Sequence, residues 1–279
     1  MIQYGLRLHD AEKLPLEQQL AAVRAQGFTC VHLALSKIQG MTADPAALTP
    51  GYAMYLKKAF TDAGLDIAVL GNYLNLATPD AEALKKNQEK YTAHFRFASI
   101  LGVGVVGTET GNPNVDYKYD PEKSHTDEAL ETFITNLRPV VKDAERFGVI
   151  MAIEPVWRHI VYSPQRARIV LDEINSPNLQ IIFDPVNLLD ETNLDRREEV
   201  FADAIKLLEK EIAVIHIKDY KTETGPRTCM AAGLGDMDYS PILKFAKEKK
   251  PFIQATLENT KPENAQQARE FLTKLEESL

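Results

Sequence analysis

Eight short apolar runs punctuate this chain, beginning near Ile2, Thr29, Asp66, Val103, Val149, Gln180, Val214 and Phe252. Their spacing of roughly 30–45 residues is what a repeated strand–helix unit requires. Amphipathic stretches fill the intervals. Leu16, Leu20 and Val23 share one helical face, as do Leu130, Phe133, Ile134, Leu137 and Val141, and more loosely Ala202, Ile205, Leu208 and Ile212. Gly27, Gly64 and Gly148 each stand where a helix should end just before the next strand. No Pro/Gly/Ser linker divides the chain, so residues 1–279 are expected to form one domain. The expected fold class is α/β, a (β/α)8 barrel with a parallel eight-stranded sheet and outer helices. A doubly wound open sheet is the alternative, but its Gly-rich fingerprint is missing: the first run leads into Arg7-Leu8-His9-Asp10. The longest loop is expected over 111–126, after the fourth strand and therefore on the face where barrels place their sites.

Four runs in the second half each end in one side chain able to bind a metal. They are Val149–Glu154, Leu179–Asp184, Ile212–His216 and Phe252–Glu258. Residues two apart share a face of a strand, and the inward faces of a barrel converge at its C-terminal mouth. Glu154, Asp184, His216 and Glu258 would meet there. Burying a carboxylate or imidazole at a strand end is costly unless it is paired or bound. Three carboxylates and one imidazole make a hard, oxygen-rich set suited to one divalent ion with open positions. Mn²⁺ is favoured, with Mg²⁺, Co²⁺ or Zn²⁺ as alternatives. Taken singly, each residue has a plainer reading. Asp184 before Pro185 would start a turn or helix, and His216 would be a satisfied strand-end histidine.

The bulk properties exclude several classes. Net charge is −8, with no basic block of the kind that grips a nucleic acid backbone, so no nucleic acid partner is expected. No run is long and apolar enough to cross a membrane. Arg7, His9 and Asp10 interrupt the first apolar stretch, which is unlike a signal peptide. Cys30 and Cys229 lie far apart without CxxC spacing and read as free thiols of a reducing cytoplasm. A homo-oligomer paired through outer helices remains open.

The motifs Ile153-Glu154-Pro155 with His159, Ser163-Pro164, Phe183-Asp184-Pro185-Val186-Asn187, His216-Ile217-Lys218-Asp219, Gly233-Leu234-Gly235-Asp236 and Leu257-Glu258-Asn259 resemble the sugar phosphate isomerase/epimerase superfamily of xylose-isomerase-like barrels. The resemblance covers nearly the whole chain. It implies that Glu154, Asp184, His216 and Glu258 hold one divalent metal and that Glu154 and Glu258 also exchange a proton with the substrate. The chain departs from the ketose epimerases of that superfamily at Asn187, where they commonly carry His. Asn donates a hydrogen bond but does not titrate.

The chemistry expected is isomerisation or epimerisation of a sugar, keto sugar or polyol-derived substrate. A carboxylate removes a proton beside a carbonyl, and a cation stabilises the enediolate. Substrate contacts are assigned to His159 and Arg158 after the fifth strand, Asn187, Lys218, Glu109 after the fourth, Asn72 after the third and His9 after the first. Lys218 has a rival role as a surface partner of Asp219, and Arg158 as a surface salt bridge. Trp157 is either a pocket wall or core packing. The Gly233–Asp236 turn is a weak candidate for binding phosphate. Few cations fall near the expected mouth, which favours an unphosphorylated substrate. Two other enzyme classes use related scaffolds: a metal-dependent dehydratase of an inosose or dehydroshikimate-like compound, and an endonuclease IV-like hydrolase. The hydrolase needs many more His ligands than this chain supplies. A barrel that only binds a sugar is a further reading, which the paired glutamates disfavour.

Overall fold

A computed structural model describes residues 1–222 and 227–279. In chain order the elements are β1 (Gln3–Arg7), α1 (Leu16–Ala25), β2 (Cys30–Leu33), α2 (Pro50–Asp62), β3 (Asp66–Gly71), α3 (Ala81–Leu101) and β4 (Val105–Glu109). There follow α4 (Pro121–Ser124), α5 (Asp127–Phe147), β5 (Ile150–Glu154), α6 (Pro164–Ile174), β6 (Leu179–Phe183), α7 (Arg197–Leu208) and β7 (Ile212–Ile217). The chain ends with β8 (Asp219–Lys221), β9 (Thr228–Met230), α8 (Ser240–Lys249), β10 (Gln254–Leu257) and α9 (Ala265–Ser278). Eight strands close into a barrel in the order β1-β10-β7-β6-β5-β4-β3-β2, and every adjacent pair is parallel. The pairing of β1 with β10, Gln3 opposite Gln254 through Leu6 opposite Leu257, leaves no open edge and rules out the open sheet.

Local chemistry sets the helix boundaries. Thr49, Asp80, Thr126 and Ser163 accept hydrogen bonds from backbone N–H groups in the first turns of α2, α3, α5 and α6. Gly148 ends α5 in the left-handed region at φ 66°, where a Cβ would be strained. The expected face of α5 is buried in full: Leu130, Phe133, Ile134, Leu137 and Val141. That of α7 is met in part. Leu208 is buried and Ile205 packs half-buried against the core, whereas Ala202 is exposed, Phe201 and Ala204 face inward instead, and Ile212 already belongs to β7.

All eight strand starts fall within two residues of expectation. Phe252 itself lies just outside β10. It is 70% exposed at φ 68° in the turn before β10. Two elements were not expected: the short α4 inside the 111–126 loop, and the antiparallel β8–β9 hairpin with Asp219 opposite Met230. Both lie on the mouth side.

The barrel interior holds a small layer: Cys30, Ala68, Val69, Ala152, Ile182 and Val214. Gly107 belongs to it, because a Cβ there would stand 2.5 Å from Ile182 Cδ1 and 2.7 Å from Val69 Cγ1. The larger cluster fills the space between strands and helices. Gly107→Ala should therefore overpack the interior, with a loss of about 1–3 kcal/mol, seen as a lower melting temperature. Ile182→Val, which removes the obstructing Cδ1, should recover part of the loss in the double variant. An unchanged melting temperature for Gly107→Ala would contradict this packing.

Candidate metal centre

The mouth is built from the same alternation that builds the interior. Two residues beyond Cys30, Gly107, Ala152, Ile182 and Val214 come His32, Glu109, Glu154, Asp184 and His216. Two beyond Thr256 comes Glu258, and two beyond His216 comes Lys218. Glu154, Asp184, His216 and Glu258 are all at least 95% buried. Ligand atoms from Glu154, Asp184 and His216 lie within 4.8 Å of one another. His216 Nδ1 is 3.4 Å from Glu154 Oε1 and 3.1 Å from Glu258 Oε1. The two glutamates reach it from different sides of β7, since β10 is its neighbour on one flank and β5 lies beyond β6 on the other.

Lys218 completes the cluster. Its ammonium lies 2.6 Å from Asp184 Oδ2 and 3.1 Å from Glu258 Oε2. Asp219 points the other way and accepts hydrogen bonds from the backbone N–H groups of Tyr220, Gly233, Gly235 and Met237. This decides between the two roles considered for Lys218, because the lysine faces the interior and does not pair with Asp219. It also removes the Gly233–Asp236 turn as a phosphate cradle, since the N–H groups of Gly233 and Gly235 already serve the Asp219 carboxylate.

Burial alone would raise the pKa of Glu258, but Lys218, His216 and Arg7 outweigh it and hold the carboxyl well below its usual range. Burial alone would lower that of His216; Glu154 and Glu258 outweigh it and raise the imidazole to about 10. Nδ1 of His216 nonetheless has no aligned hydrogen-bond partner among the described residues. A buried imidazole nitrogen between two carboxylates, with a third carboxylate within reach, is a donor set of the hard N/O kind that divalent cations take. The chemistry of the Glu154, Asp184 and His216 grouping thus fits a divalent ion, with Glu258 beside it on the same His216 nitrogen. A second grouping, His32 with His216 and Glu258, also brings its ligand atoms within 4.8 Å. There the close approach is His32 Nδ1 to His216 Nε2 at 3.2 Å, a hydrogen-bond distance.

The other expected site residues surround this cluster to different degrees. Asn187 Nδ2 donates to Glu154 Oε1 at 2.7 Å, and its backbone N–H donates to Asp184 Oδ1 at 3.1 Å. Glu109 stands beside Glu154 in the β4–β5 register. Its Oε2 is 3.8 Å from His159 Nε2 and accepts from the Tyr117 hydroxyl at 3.5 Å. Burial raises the pKa of Glu109 and lowers that of His159 to about 4, and His159 Nδ1 is buried without a partner. Among the described residues Asn72 is buried with its Nδ2 unpartnered, and so is His9 Nδ1. His9 lines a cavity with Lys13, Gln19 and Lys37. Arg158 is exposed, its guanidinium 4.7 Å from the Trp157 ring, and it forms no ion pair among the described residues. Trp157 is half-buried and so is not core packing. With Arg158, Asn187, Asp190 and Arg227 it lines a cavity of about 270 Å³ that adjoins the cluster through Asn187. His94 and His125 lie elsewhere, hydrogen-bonded to the carbonyls of Lys90 and Trp157.

Sequence reasoning missed Arg7, His32, Tyr73, Tyr117 and Arg227. Arg7 Nη1 reaches Glu258 Oε2 at 3.4 Å while Arg7 Nη2 pairs with Asp10. Applied to the first two strands, the period-two rule would have marked Arg7 and His32. Tyr73, Tyr117 and Arg227 lie in loops and carry no such signal.

The sequence profile of the family described as xylose isomerase-like TIM barrel matches residues 20–275. No curated protein matches the sequence. Among solved structures, 3-keto-D-glucoside 4-epimerase from E. coli superposes with a TM-score of 0.77 at 14% identity, over 98% of this chain and 100% of that one. D-psicose 3-epimerase from Clostridium cellulolyticum H10, crystallised with D-tagatose, gives 0.73 at 16% identity, over 98% and 99%. The probable 3-DHS dehydratase of petrobactin synthesis from Bacillus anthracis gives 0.73 at 14% identity, also over 98% and 99%. At these identities the structural likeness carries the fold alone. The profile match spans most of the sequence, and the chain belongs to the xylose isomerase-like TIM barrel family.

Proposed function

We propose that this protein is a divalent-metal-dependent isomerase or epimerase of a sugar, keto sugar or polyol-derived substrate, working by proton transfer through an enediolate. The observation that carries the reading is the convergence of two glutamates on His216 Nδ1, at 3.4 Å and 3.1 Å from strands on different sides of β7. Moving a carbonyl, or inverting a carbinol beside one, needs a base to take a carbon-bound proton and an acid to return it. Glu154 and Glu258 supply two such groups around one point. Their environments differ. Glu154 is held by a neutral donor, Asn187, whereas Glu258 faces the cations Lys218 and Arg7. Lys218, His216 and Arg7 stabilise the Glu258 anion.

A divalent ion held by Glu154, Asp184, His216 and Glu258 would act as a Lewis acid, and in displacing the His216 proton it would add one positive charge where an enediolate develops one negative charge. The Lys218 ammonium stands where it would add to that stabilisation. Polyhydroxylated substrates suit the surrounding wall. Asn72 Nδ2 and His159 Nδ1 are buried without partners among the described residues, and Glu109 and Tyr117 offer an acceptor and a hydroxyl. Buried polar atoms without partners are rare in folded proteins, and a ligand's hydroxyls would satisfy these. The epimerases among the similar structures bear on the same reading.

A dehydratase is the second reading, favoured by one observation. Lys218 presents a buried ammonium inside the carboxylate cluster, and expulsion of hydroxide needs a proton donor at the leaving oxygen. A dehydratase product, an enone or diketone, gains ultraviolet absorption that an isomerase product lacks.

Two predictions follow from the glutamate and histidine geometry. With a panel of ketoses, aldoses, their phosphates and inososes, the metal-loaded protein should incorporate solvent deuterium at carbon for at least one substrate. Glu154→Gln and Glu258→Gln should each lower that rate by about 10²–10⁴-fold. Exchange that survives both substitutions would remove the proton-transfer reading. Separately, Mn²⁺ added to chelator-stripped protein near pH 8 should release a proton, because His216, raised to about 10, is cationic below that pH and must lose its Nδ1 proton to bind. Apparent Mn²⁺ affinity should accordingly rise with pH and level off near 10. Calorimetry in buffers of different ionisation enthalpy measures the proton count, and uptake without release would contradict the assignment of His216.

A further inference from the structure

We infer that His32 and Tyr73 form a positioning relay that fixes which ring nitrogen of His216 faces the cation site. The inference rests on the metal reading above only for its consequence, not for its geometry. His32 lies on β2, separated from β7 by β1 and β10 around the barrel, and is fully buried. Its ring reaches across the mouth so that Nδ1 lies 3.2 Å from His216 Nε2. On its other side, His32 Nε2 lies 2.9 Å from the Tyr73 hydroxyl. The rings of His32 and Tyr73 stack at 5.9 Å between centroids, and Lys37 Nζ stands 5.2 Å from the Tyr73 ring.

Donor and acceptor roles along this chain are mutually constrained. A neutral imidazole has one N–H and one acceptor nitrogen. For His216 to offer the Nδ1 lone pair, its proton must sit on Nε2. That N–H then donates to His32 Nδ1, so the His32 proton must sit on Nε2 and donate to the Tyr73 oxygen. The Tyr73 proton is left free to donate elsewhere. His32 is fully buried with one neighbour at each ring nitrogen, His216 at Nδ1 and Tyr73 at Nε2. The backbone preserves the space for this arrangement. A Cβ at Gly71 would lie 2.4 Å from His32 Nε2 and 2.9 Å from Tyr73 Cε2. The hydrogen bond made by the far nitrogen sets both the tautomer and the orientation of a metal-binding histidine, and losing it commonly weakens metal affinity about 10–100-fold.

The competing arrangement makes His32 itself a ligand, through its grouping with His216 and Glu258. Three variants separate the possibilities. His32→Leu removes the acceptor. His32→Asn can place a carbonyl oxygen near the position of Nδ1. Tyr73→Phe removes only the outer partner. Mn²⁺ affinity, followed by electron paramagnetic resonance at fixed pH, should fall about 10–100-fold in His32→Leu and recover to within a few-fold of the parent in His32→Asn. Tyr73→Phe should fall between them. Nitrogen modulation of the bound Mn²⁺ signal should report one imidazole ligand in the parent and in His32→Asn. Parental affinity in His32→Leu, or two imidazole ligands in the parent, would overturn the relay.

Should the parent bind no divalent ion, the functional reading fails while the relay is still tested. In chelator-stripped protein, ¹⁵N histidine spectra should show a hydrogen-bonded, slowly exchanging Nε2–H on His216 that is lost in His32→Leu. The same signal in both proteins would refute the relay without reference to any metal. Melting temperatures of the stripped variants identify any that fail to fold. His32→Asn and Tyr73→Phe, which keep most of the packing, carry the test if His32→Leu does not fold.

Discussion

Three carboxylates buried at one end of a barrel cannot share that space without positive charge among them, and the mouth is organised around this constraint. Glu154, Asp184 and Glu258 are each nearly inaccessible to water. Their mutual repulsion is strong in a poorly polarisable interior. Lys218 bridges two of them, Arg7 reaches one from β1, and the His216 ring sits between the two glutamates. Lys218 and His216 are buried, and Arg7 is only partly exposed. Removing one would leave an uncompensated buried charge, a far larger penalty than loss of an exposed ion pair. The same concentration of negative charge is what makes the site receptive to a divalent ion.

The barrel supplies the positions through a single rule of strand geometry. Alternate residues of each strand point inward, so a layer of small and branched side chains is followed, one step nearer the mouth, by a layer of polar ones. Gly107 and Ala152 keep the lower layer narrow enough for Ile182 and Val69 to fill it. Gly71 serves the upper layer, leaving the space that the His32 and Tyr73 rings occupy. Beyond Ile217 the chain continues with Lys218 inward and Asp219 outward. That one step gives the cluster its ammonium and gives the 231–237 segment its anchor, through three backbone N–H bonds to Asp219.

What was legible in the sequence follows from which features are periodic. Eight apolar runs with helices between them specify the closed barrel, and the four late strand ends identify the polar cluster. Arg7 and His32 obey the same alternation but end runs that look ordinary. Arg7 precedes a polar turn, and His32 is followed by Leu33, so neither stands out as a terminal ligand. The face of α7 was read only in part, because the expected pattern ran on to Ile212, past the helix end at Leu208, and left out Phe201. Gly233 and Gly235 suggested an anion cradle because sequence shows where N–H groups could cluster and not which carboxylate already occupies them. Tyr117 and Arg227 come from loops whose path depends on tertiary contacts. Arg227 is held by the carbonyls of Val186 and Leu189, forty residues away along the chain.

Asn187 shows how one loop residue shapes the two halves of the site differently. Its side chain donates to Glu154 and its backbone to Asp184, so the β6 loop grips both carboxylates without adding charge. A histidine in its place would bring a group able to titrate beside Glu154. With asparagine, Glu154 keeps a neutral partner while Glu258 faces Lys218 and Arg7. The asymmetry between the two glutamates is therefore built by their neighbours and not by their own positions, which are equivalent ends of parallel strands. Asn187 also forms part of the wall of the cavity with Trp157, Arg158 and Arg227. Asn187 thus links the Glu154 carboxylate to that cavity.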